Sequence, residues 1–401
     1  MSQLTQESYL VVGGGTTTGA AIVRLLLQQS GARVSIFEAY PLHPRVAAQF
    51  GDHVHVYVED LFAPKAVADA IRSCQATCII HTGTLTVPEQ ARVCHPDSPP
   101  SQADYKLAIK KVNEEHRRVS MEGTQNLISV AHDTGVKKLV YVGYADAFFN
   151  GKELQHLREE DAKYPAKPWL AVMGPRLEGE RLVLAANGVN SLTTAVIRPA
   201  SVFGGTHLDY ILLRTAQTTP GFTSVSFDND KAIVDRTFVD NVAHAVLLAA
   251  ARLDPIHPNH QATAGHTFFV SDDDARPFWS FHGALWGAVN QCAAPKMTSF
   301  SASKALRSEW KKDLSDKLHR RPDEENYRKM CMVFTTRTYD ISRAREVLGY
   351  APIVSHNEGI RRTAEAWLEV QLQLCKNAGQ DNQPPPPYTR SDSTKIPYVG
   401  F

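Results

Sequence analysis

Short apolar runs alternate with amphipathic stretches along much of the chain. The runs have the length of buried strands and lie near residues 9–12, 33–37, 53–57, 77–81, 138–143, 193–198 and 266–270. Apolar residues at helical spacing lie near residues 19–30, 64–73, 104–133 and 173–187. Strands that alternate with helices favour parallel strand–helix–strand units. The pattern therefore predicts an α/β fold, a Rossmann doubly wound parallel sheet with a smaller C-terminal lobe.

A glycine-rich turn follows the first apolar run. Gly13, Gly15 and Gly19 fit the spacing Gly-x-Gly-x-x-x-Gly, whereas Thr16 takes the middle position of Gly-x-x-Gly-x-x-Gly spacing. A turn of this kind between a strand and a helix exposes helix N–H groups to which a pyrophosphate binds. Since Thr16 replaces the glycine that allows close backbone approach, we expect the cofactor to sit slightly differently here.

An acidic residue ends the second apolar run. Glu38 lies about 20 residues beyond the glycine turn, where dinucleotide folds carry an acid for the ribose hydroxyls. A carboxylate there repels the 2′-phosphate of NADP, and no Lys or Arg directly flanks it. The predicted cofactor is therefore NAD. A glycine-rich turn in an unrelated α/β protein is the alternative interpretation.

The chain divides into three parts. Residues 1–205 form the expected NAD-binding Rossmann domain, and residues 206–378 form a substrate-binding lobe from which some segments return to the first domain. Residues 379–401 are proline-rich and predict a flexible tail. The proline-broken segment 87–102 predicts a surface loop in the place of a lid over the cofactor.

Composition narrows the class of partner. The 43 Lys and Arg residues nearly balance 42 Asp and Glu residues, which excludes a strongly basic nucleic-acid surface. The six cysteines are scattered without a Cys-x-x-Cys pair, and the histidines lack paired spacing on a helix, so we expect reduced thiols and no metal. We expect no cleavable leader and no membrane-spanning run, hence a cytoplasmic protein, with peripheral contact at the endoplasmic reticulum membrane left open.

Seven stretches occur in the order in which one enzyme family carries them: residues 13–19, 59–61, 79–82, 122–126, 198–204, 237–244 and 265–270. They resemble the extended short-chain dehydrogenase/reductases and, within these, the 3β-hydroxysteroid dehydrogenase/isomerase family, most closely its branch of decarboxylating sterol-4α-carboxylate 3-dehydrogenases. The resemblance spans residue 9 to about residue 368. It implies an NAD-dependent oxidoreductase that acts on a hydroxyl or ketone of a steroid- or terpenoid-like substrate.

Further cofactor contacts follow from the resemblance alone. It implies that Asp60 and Leu61 lie by the adenine, Thr82 and Gly83 by the nicotinamide ribose, and residues Pro199 to Val202 by the carboxamide. Ordinary strand ends and turns remain the alternative explanation for these residues.

The catalytic residues of the family are replaced. Counting back from the matching stretch 179–187 puts Val172 at the family's tyrosine and Arg176 at its lysine. Tyr144 falls on the family's Ser or Thr, and Ser120 falls on its helix Asn. Val172 cannot take or give a proton, so the usual proton path is lost.

A relocated acid–base group is one hypothesis. Tyr144 would exchange the proton of the substrate oxygen, Arg176 would ease its ionisation and keep a contact with the cofactor, and Ser120 would complete the site. Alternatively, Tyr144 fills the pocket as an aromatic wall, and Asn113 shares the helix face of Ser120 and takes the amide role. A second function class is an NAD-binding protein without redox turnover, either an isomerase- or lyase-like enzyme or a sensor or interaction protein.

The predicted partner is a small apolar substrate rather than a nucleic acid. Aromatic residues of the C-terminal lobe either line its pocket or belong to the core: Phe278, Trp279, Phe281 and Trp286. The family resemblance also implies a homodimer built on the helices 104–133 and 173–187.

Overall fold

A computed structural model describes part of the chain: residues 7–84, 114, 117–205, 225–227, 230–289, 298–300, 328 and 331–377. The expected loop 87–102, Asn113, the first part of helix 104–133 and the expected tail 379–401 lie outside the described residues.

Strands and helices alternate in the order that the apolar pattern predicts. The strands are β1 Ser8–Val12, β2 Arg33–Glu38, β3 His55–Val58, β4 Cys78–His81, β5 Lys138–Val142, β6 Leu154–Leu157, β7 Thr193–Pro199, β8 Val202–Phe203, β9 Val225–Phe227, β10 Ile233–Val234, β11 Thr237–Phe238, β12 His266–Val270, β13 Arg276–Pro277, β14 Thr298–Phe300 and β15 Arg337–Tyr339. The α-helices are α1 Thr17–Leu27, α2 Pro44–Phe50, α3 Pro64–Cys74, α4 Thr124–Thr134, α5 Met173–Ala185, α6 Val239–Arg252, α7 His260–Thr263, α8 Phe278–Val289 and α9 His356–Asn377.

Seven parallel strands form the central sheet, in the order β12-β7-β5-β4-β1-β2-β3. All seven strands predicted from the apolar runs are members of it, so the prediction of a doubly wound parallel sheet is confirmed. The chain runs outward in opposite directions from the pair β1 and β4. In such sheets the ligand crevice opens at this switch point, at the carboxyl ends of the strands.

Two apolar layers cover the sheet because successive side chains of a strand point to opposite faces. Tyr9 and Val11 face a layer built mainly by α1 and α6. Leu10 and Val12 face the layer built by α3, α4 and α5. The β1 strand is therefore buried on both sides, and the turn that follows it is held firmly.

Two elements beyond residue 205 pack on elements that precede it. Helix α6 packs against α1, and β12 pairs with β7 as the edge strand of the central sheet. A second sheet, in the order β13-β10-β15-β6, combines β6 from before residue 205 with three later strands, and two strand pairs form beside it in sequence, β8 with β11 and β9 with β14.

A third apolar cluster connects the central sheet to the second sheet. It contains Phe148, Phe269 and Tyr339, and Tyr144 packs against it. In the C-terminal lobe the Phe281 ring is buried 5.2 Å from the Phe203 ring, so the core interpretation holds for Phe281.

Candidate active site

The glycine turn is packed too tightly for side chains at three of its positions, Gly13, Gly14 and Gly19. Gly13 has φ +85°, and a Cβ there would overlap the Thr82 hydroxyl and the Thr84 carbonyl. A Cβ at Gly19 would overlap the Gly13 carbonyl. The turn therefore brings the start of α1, the end of β1 and the segment after β4 into direct backbone contact.

Thr16 is the N-cap of α1. Its Oγ1 donates to the Gly13 carbonyl at 2.7 Å and accepts from the Gly19 N–H at 3.0 Å. The hydroxyl thus points into the turn and satisfies a donor that a helix start otherwise leaves free. The N–H groups of Thr17 and Thr18 belong to the first turn, which an α-helix leaves without internal acceptors.

The start of α1 fits the pyrophosphate of a dinucleotide. Thr17, the first helical residue, is 9% exposed, and its Oγ1 has no hydrogen-bond partner among the described residues. A buried hydroxyl without a partner is costly in the protein alone. A phosphate oxygen at this helix end would accept from it and from the first N–H groups.

Glu38, the residue predicted to bind the ribose hydroxyls, lies beside the glycine turn. It is the last residue of β2 and fully buried, and its Oε1 accepts from the Gly15 N–H at 2.7 Å. The carboxylate is therefore fixed against the glycine turn.

The segment after β4 joins the turn to the helix that carries Ser120. The Thr82 Oγ1 donates to the Thr84 carbonyl at 2.8 Å and to the Val12 carbonyl at 3.2 Å. The Gly83 carbonyl accepts from the Ser120 Oγ at 3.1 Å. Ser120 is fully buried in a π-helical turn, Val119–Gly123, a form that is rare and frequent at functional sites. Its hydroxyl holds Gly83 in place.

The remaining predicted cofactor residues lie at the same edge but in different surroundings. Asp60 is exposed after β3 and its Oδ1 accepts from the Phe62 N–H at 2.9 Å. Leu61 is buried in the core between α3 and α4. Pro199 ends β7 and is buried, while Val202 lies half-buried in β8.

Tyr144 and Arg176 lie next to each other. Tyr144 follows the end of β5, and Arg176 lies in the first turns of α5. The guanidinium carbon of Arg176 is 5.6 Å from the centre of the Tyr144 ring. Val172 is the N-cap residue of α5 and offers no hydroxyl. Tyr144 thus places a phenol ring beside the Arg176 guanidinium, while the Tyr141 hydroxyl donates to the Arg176 carbonyl at 3.4 Å.

Burial dominates the acidity of Tyr144. Burial and the nearby Asp146 carboxylate raise the pKa of Tyr144 to about 12. Arg176 lowers it, as expected, and so do Arg337 and a hydrogen bond with Ser201, but these effects are smaller. The phenol is therefore protonated at neutral pH.

A buried polar cluster lies behind Tyr144, and the sequence did not indicate it. The Asp146 Oδ2 accepts from the Ser201 Oγ at 2.6 Å. Its Oδ1 accepts from the Arg337 Nε at 2.9 Å and from the Tyr339 hydroxyl at 2.7 Å. The Asp146 and Arg337 side chains are 2% and 4% exposed. Ser201 lies within a family-like stretch, which is the one signal that pointed to it.

A second buried ion pair fixes the helix that carries Arg176. The Glu180 carboxylate of α5 accepts from Arg198 of β7 at 2.5 Å and from the Tyr164 hydroxyl at 2.5 Å. A Cβ at Gly143 would approach the Glu180 Oε2 to 2.7 Å. Because α5 is tied in this way to the carboxyl ends of β5 and β7, Arg176 is held beside Tyr144.

The described residues contain neither a candidate metal site nor a helix suited to span a membrane. Across these ranges no group of three or more His, Cys, Asp or Glu side chains is placed to hold a metal ion. In the same part of the chain, no helix combines the length and the apolar character needed to cross a membrane.

Comparison with known proteins identifies relatives with named activities. The model of the 3-beta hydroxysteroid dehydrogenase/isomerase family matches residues 103–300. The sterol-4-alpha-carboxylate 3-dehydrogenase (decarboxylating) of Saccharomyces cerevisiae is 27% identical over 347 residues, which are 84% of this chain and 91% of that protein. The Homo sapiens protein of that name is 29% identical over 284 residues, 70% of this chain and 72% of its own.

Solved structures show the same fold. The UDP-glucuronic acid 4-epimerase of Bacillus cereus, solved in complex with NAD, superposes with a TM-score of 0.63. The match covers 90% of this chain and 99% of the epimerase at 13% identity, so it bears on the fold alone.

Proposed function

The chain carries a domain of the 3-beta hydroxysteroid dehydrogenase/isomerase family, and from this premise we propose that it is an NAD-dependent oxidoreductase. Its substrate is a steroid- or terpenoid-like molecule, on which it oxidises a hydroxyl or reduces a ketone. The observation that carries the proposal is a continuous line of contacts at the carboxyl edge of the sheet. The line runs from the glycine turn through Thr82, Gly83 and Ser120 to α5, where Arg176 lies over Tyr144.

In this proposal the protein holds the cofactor with its fixed turn. Gly13, Gly15 and the start of α1 bind the pyrophosphate, with Thr16 closing the turn and Gly19 letting the helix approach. Glu38 binds the hydroxyls of the adenine ribose, and the Thr82–Gly83 segment binds those of the nicotinamide ribose. Contacts from Asp60, Leu61, Pro199, Val202 and Arg176 remain proposals drawn from the family. Bound NAD supplies the chemistry of hydride transfer.

The chain's own residues then supply the proton chemistry. Tyr144 is the catalytic hydroxyl and contacts the substrate oxygen. Arg176 stabilises negative charge that develops on the phenol, since its cation lowers the pKa of Tyr144. Ser120 positions the Gly83 segment rather than the substrate, because its hydroxyl already donates to the Gly83 carbonyl.

A second candidate function is NAD binding without redox turnover. It is favoured by the absence of a titratable group at Val172 and by the raised pKa of Tyr144. Under this alternative the same turn binds NAD, while the protein acts as an isomerase- or lyase-like enzyme or as a sensor.

NADH absorbance separates the two candidates. The purified protein would receive NAD and a panel of 3β-hydroxysteroids that includes 4-carboxysterols. We expect NADH to form, Tyr144→Phe to abolish its formation, and Tyr57→Phe, the same change on the distant strand β3, to preserve it. Unchanged turnover in Tyr144→Phe would remove Tyr144 from the mechanism. NAD binding without NADH formation would support the second candidate.

Assembly and location form separate parts of the proposal. A homodimer through α5 and the helix before β5, and peripheral contact with the endoplasmic reticulum membrane, rest on the family resemblance alone. Light scattering of the pure protein tests the first. Co-sedimentation with endoplasmic reticulum membranes tests the second.

A further inference from the structure

Tyr141 lies at the centre of the candidate site, although no motif of the sequence indicates it. It belongs to β5, three residues before Tyr144, and is fully buried. Its side chain belongs to the layer of α3, α4 and α5, and its ring is 5.3 Å from the His81 ring at the end of β4. A buried tyrosine usually places its hydroxyl against a polar group. The neighbours of this hydroxyl come from the segment after β4 and from α5.

The Tyr141 hydroxyl separates two backbone segments. It donates to the Arg176 carbonyl in the first turns of α5 at 3.4 Å. A Cβ atom on Gly83 or on Gly179 would lie only 2.9 Å from the hydroxyl oxygen. Gly83 belongs to the segment expected at the nicotinamide ribose, and Gly179 belongs to α5. A single oxygen atom therefore fills the gap between that segment and the helix that carries Arg176.

Ser120 closes the same group of contacts. Its Oγ donates to the Gly83 carbonyl at 3.1 Å. A Cβ atom on Gly179 would overlap the Ser120 carbonyl oxygen, so α5 packs directly on the backbone of the π-helical turn. We call Gly83, Ser120, Tyr141 and Gly179 the tyrosine junction. Because close-packed atoms transmit a displacement to their neighbours, the position of Gly83 and the position of α5 depend on each other.

Packing sets the spacing in the tyrosine junction more than hydrogen bonding does. The bond from Tyr141 to the Arg176 carbonyl is longer than the usual O–H···O distance of about 2.7–2.8 Å, so it is weak. Burial raises the pKa of the Tyr141 hydroxyl well above its usual value, so the phenol stays neutral at physiological pH. Tyr141 is therefore a spacer and a donor, and it does not act as a base.

Arg176 is held at its backbone by one phenol and faces another with its side chain. Its carbonyl accepts from Tyr141, and its guanidinium carbon is 5.6 Å from the centre of the Tyr144 ring. Both tyrosines lie at the end of β5. A shift of the first turns of α5 relative to β5 therefore changes the distance from the guanidinium to Tyr144.

We propose that Tyr141 is a positioning residue that sets the distance between the Gly83 segment and Arg176, and with it the approach of Arg176 to the cofactor and to Tyr144. The inference rests on the NAD site and the role of Arg176 proposed above. Tyr141 acts through these residues, because its full burial keeps it away from the substrate.

The dissociation constant of NAD tests the tyrosine junction. Tyr141→Phe removes the hydroxyl and keeps the ring, so α5 is no longer held at its distance from Gly83. Tyr350→Phe is the matched control, because Tyr350 is also buried and its hydroxyl donates to the Ser271 carbonyl at 2.9 Å. We expect both variants to be less stable in urea, and only Tyr141→Phe to raise the NAD dissociation constant, about fivefold. An unchanged dissociation constant in Tyr141→Phe overturns the inference.

The titration of Tyr144 is a second measurement, and it needs no turnover. In protein labelled with 3,5-difluorotyrosine, the ¹⁹F resonance of Tyr144 is assigned by its loss in Tyr144→Phe. Arg176 lowers the pKa of Tyr144, so a displaced Arg176 raises the titration midpoint. We expect Tyr141→Phe to raise this midpoint and Tyr350→Phe to leave it unchanged. In an Arg176→Met background Tyr141→Phe should cause no further shift, because the cation through which it acts is gone. Equal shifts in both backgrounds overturn the inference.

Ser120→Ala is a second variant of the same junction. It releases Gly83 from its hydrogen bond with the serine hydroxyl, so we expect the same weaker NAD binding and the same raised midpoint as in Tyr141→Phe. The two changes together should have less than the sum of their separate effects, because they act on one set of contacts. Fully additive effects contradict a shared junction.

The outcomes separate this inference from the proposed function. If wild-type protein forms NADH and Tyr141→Phe matches Tyr350→Phe in NAD affinity, in the Tyr144 midpoint and in kcat/KM, the positioning role is wrong and the oxidoreductase function stands. If wild-type protein binds NAD but forms no NADH with the whole panel, the proposed function fails. The positioning role then stands if Tyr141→Phe still weakens NAD binding and raises the midpoint.

Discussion

Two neighbouring threonines in the glycine turn have opposite hydrogen-bonding states. The Thr16 hydroxyl makes two bonds within the turn, while the Thr17 hydroxyl, in the described part of the chain, makes none. Thr16 therefore stabilises the turn by itself, at the position where the alternative spacing has a glycine. Thr17 lowers the stability of the protein alone, since a buried hydroxyl without a partner costs about 1–3 kcal/mol.

We expect Thr17→Val to weaken NAD binding without lowering the stability of the protein. The change keeps the shape and removes the hydroxyl, so we expect the free energy of unfolding to stay the same or rise. The NAD dissociation constant should rise about fivefold, corresponding to about 1 kcal/mol for one hydrogen bond. Urea unfolding and calorimetric titration measure the two quantities.

Thr16→Val is the matched control for this prediction. It removes the cap, so we expect it to lower the free energy of unfolding by about 1 kcal/mol. Equal NAD affinity in Thr17→Val and wild-type protein would contradict a contact between Thr17 and the phosphate.

Single residues of the site differ in how readily the sequence reveals them. Glu38 and the glycines were predictable because a local pattern of fixed spacing carries them. Asp146 was not, because its role depends on Arg337, which lies 191 positions away in the chain. No local pattern records a pairing at that distance.

At the level of elements, the second sheet contains a carboxyl group that opposes folding at neutral pH. Asp235, between β10 and β11, is buried and accepts from the Tyr339 N–H at 2.8 Å. Burial raises the pKa of Asp235 from 3.8 to about 6. Between these values the folded protein holds a proton that the unfolded chain has lost, so stability falls as pH rises through this window.

Asp235→Asn should remove this loss of stability. The amide keeps an acceptor for Tyr339 and cannot ionise. We expect the variant and wild-type protein to converge below about pH 4, and the variant to be more stable by up to about 3 kcal/mol above pH 6. Urea unfolding of both proteins at pH 4, 5, 6 and 7 measures the difference. A difference that stays constant across this range would contradict the assignment.

The central sheet was predictable at this level, and the second sheet was not. Each of the seven apolar runs gives a strand of the central sheet, and all of these strands except the edge strand β3 are largely buried, as is usual in a parallel sheet. Strands β10 and β13 contain two residues each, too few for a period to show. The sequence also gives no signal for the π-helical turn at Ser120, because the residues of this turn resemble those of an ordinary helix in composition.

For the molecule as a whole, the Asp146–Arg337 pair joins the carboxyl edge of the central sheet to the second sheet. Both side chains are buried, and each is the charge that compensates the other. Removing one partner of such a pair costs far more than the pair contributes as a unit.

Arg337→Met should therefore destabilise the protein by about 3–5 kcal/mol, because it removes the guanidinium that is bonded to the buried Asp146 carboxylate. Arg72→Met, which breaks the exposed pair of Arg72 with Asp69, should change stability by less than about 1 kcal/mol. Adding Asp146→Asn to Arg337→Met should recover part of the loss. Urea unfolding measures the free energy of unfolding of each variant. The prediction is contradicted if Arg337→Met lowers this free energy no more than Arg72→Met does.

The packing of α6 and β12 on elements made before residue 205 has a consequence for synthesis on the ribosome. When the first 205 residues have been made, α1 lacks the helix that covers it and β7 lacks one of its two neighbouring strands. The nascent chain then presents an apolar face and an open sheet edge, both of which favour aggregation. We expect chaperones to bind this stretch until residue 270 has emerged, because the sheet is complete only then.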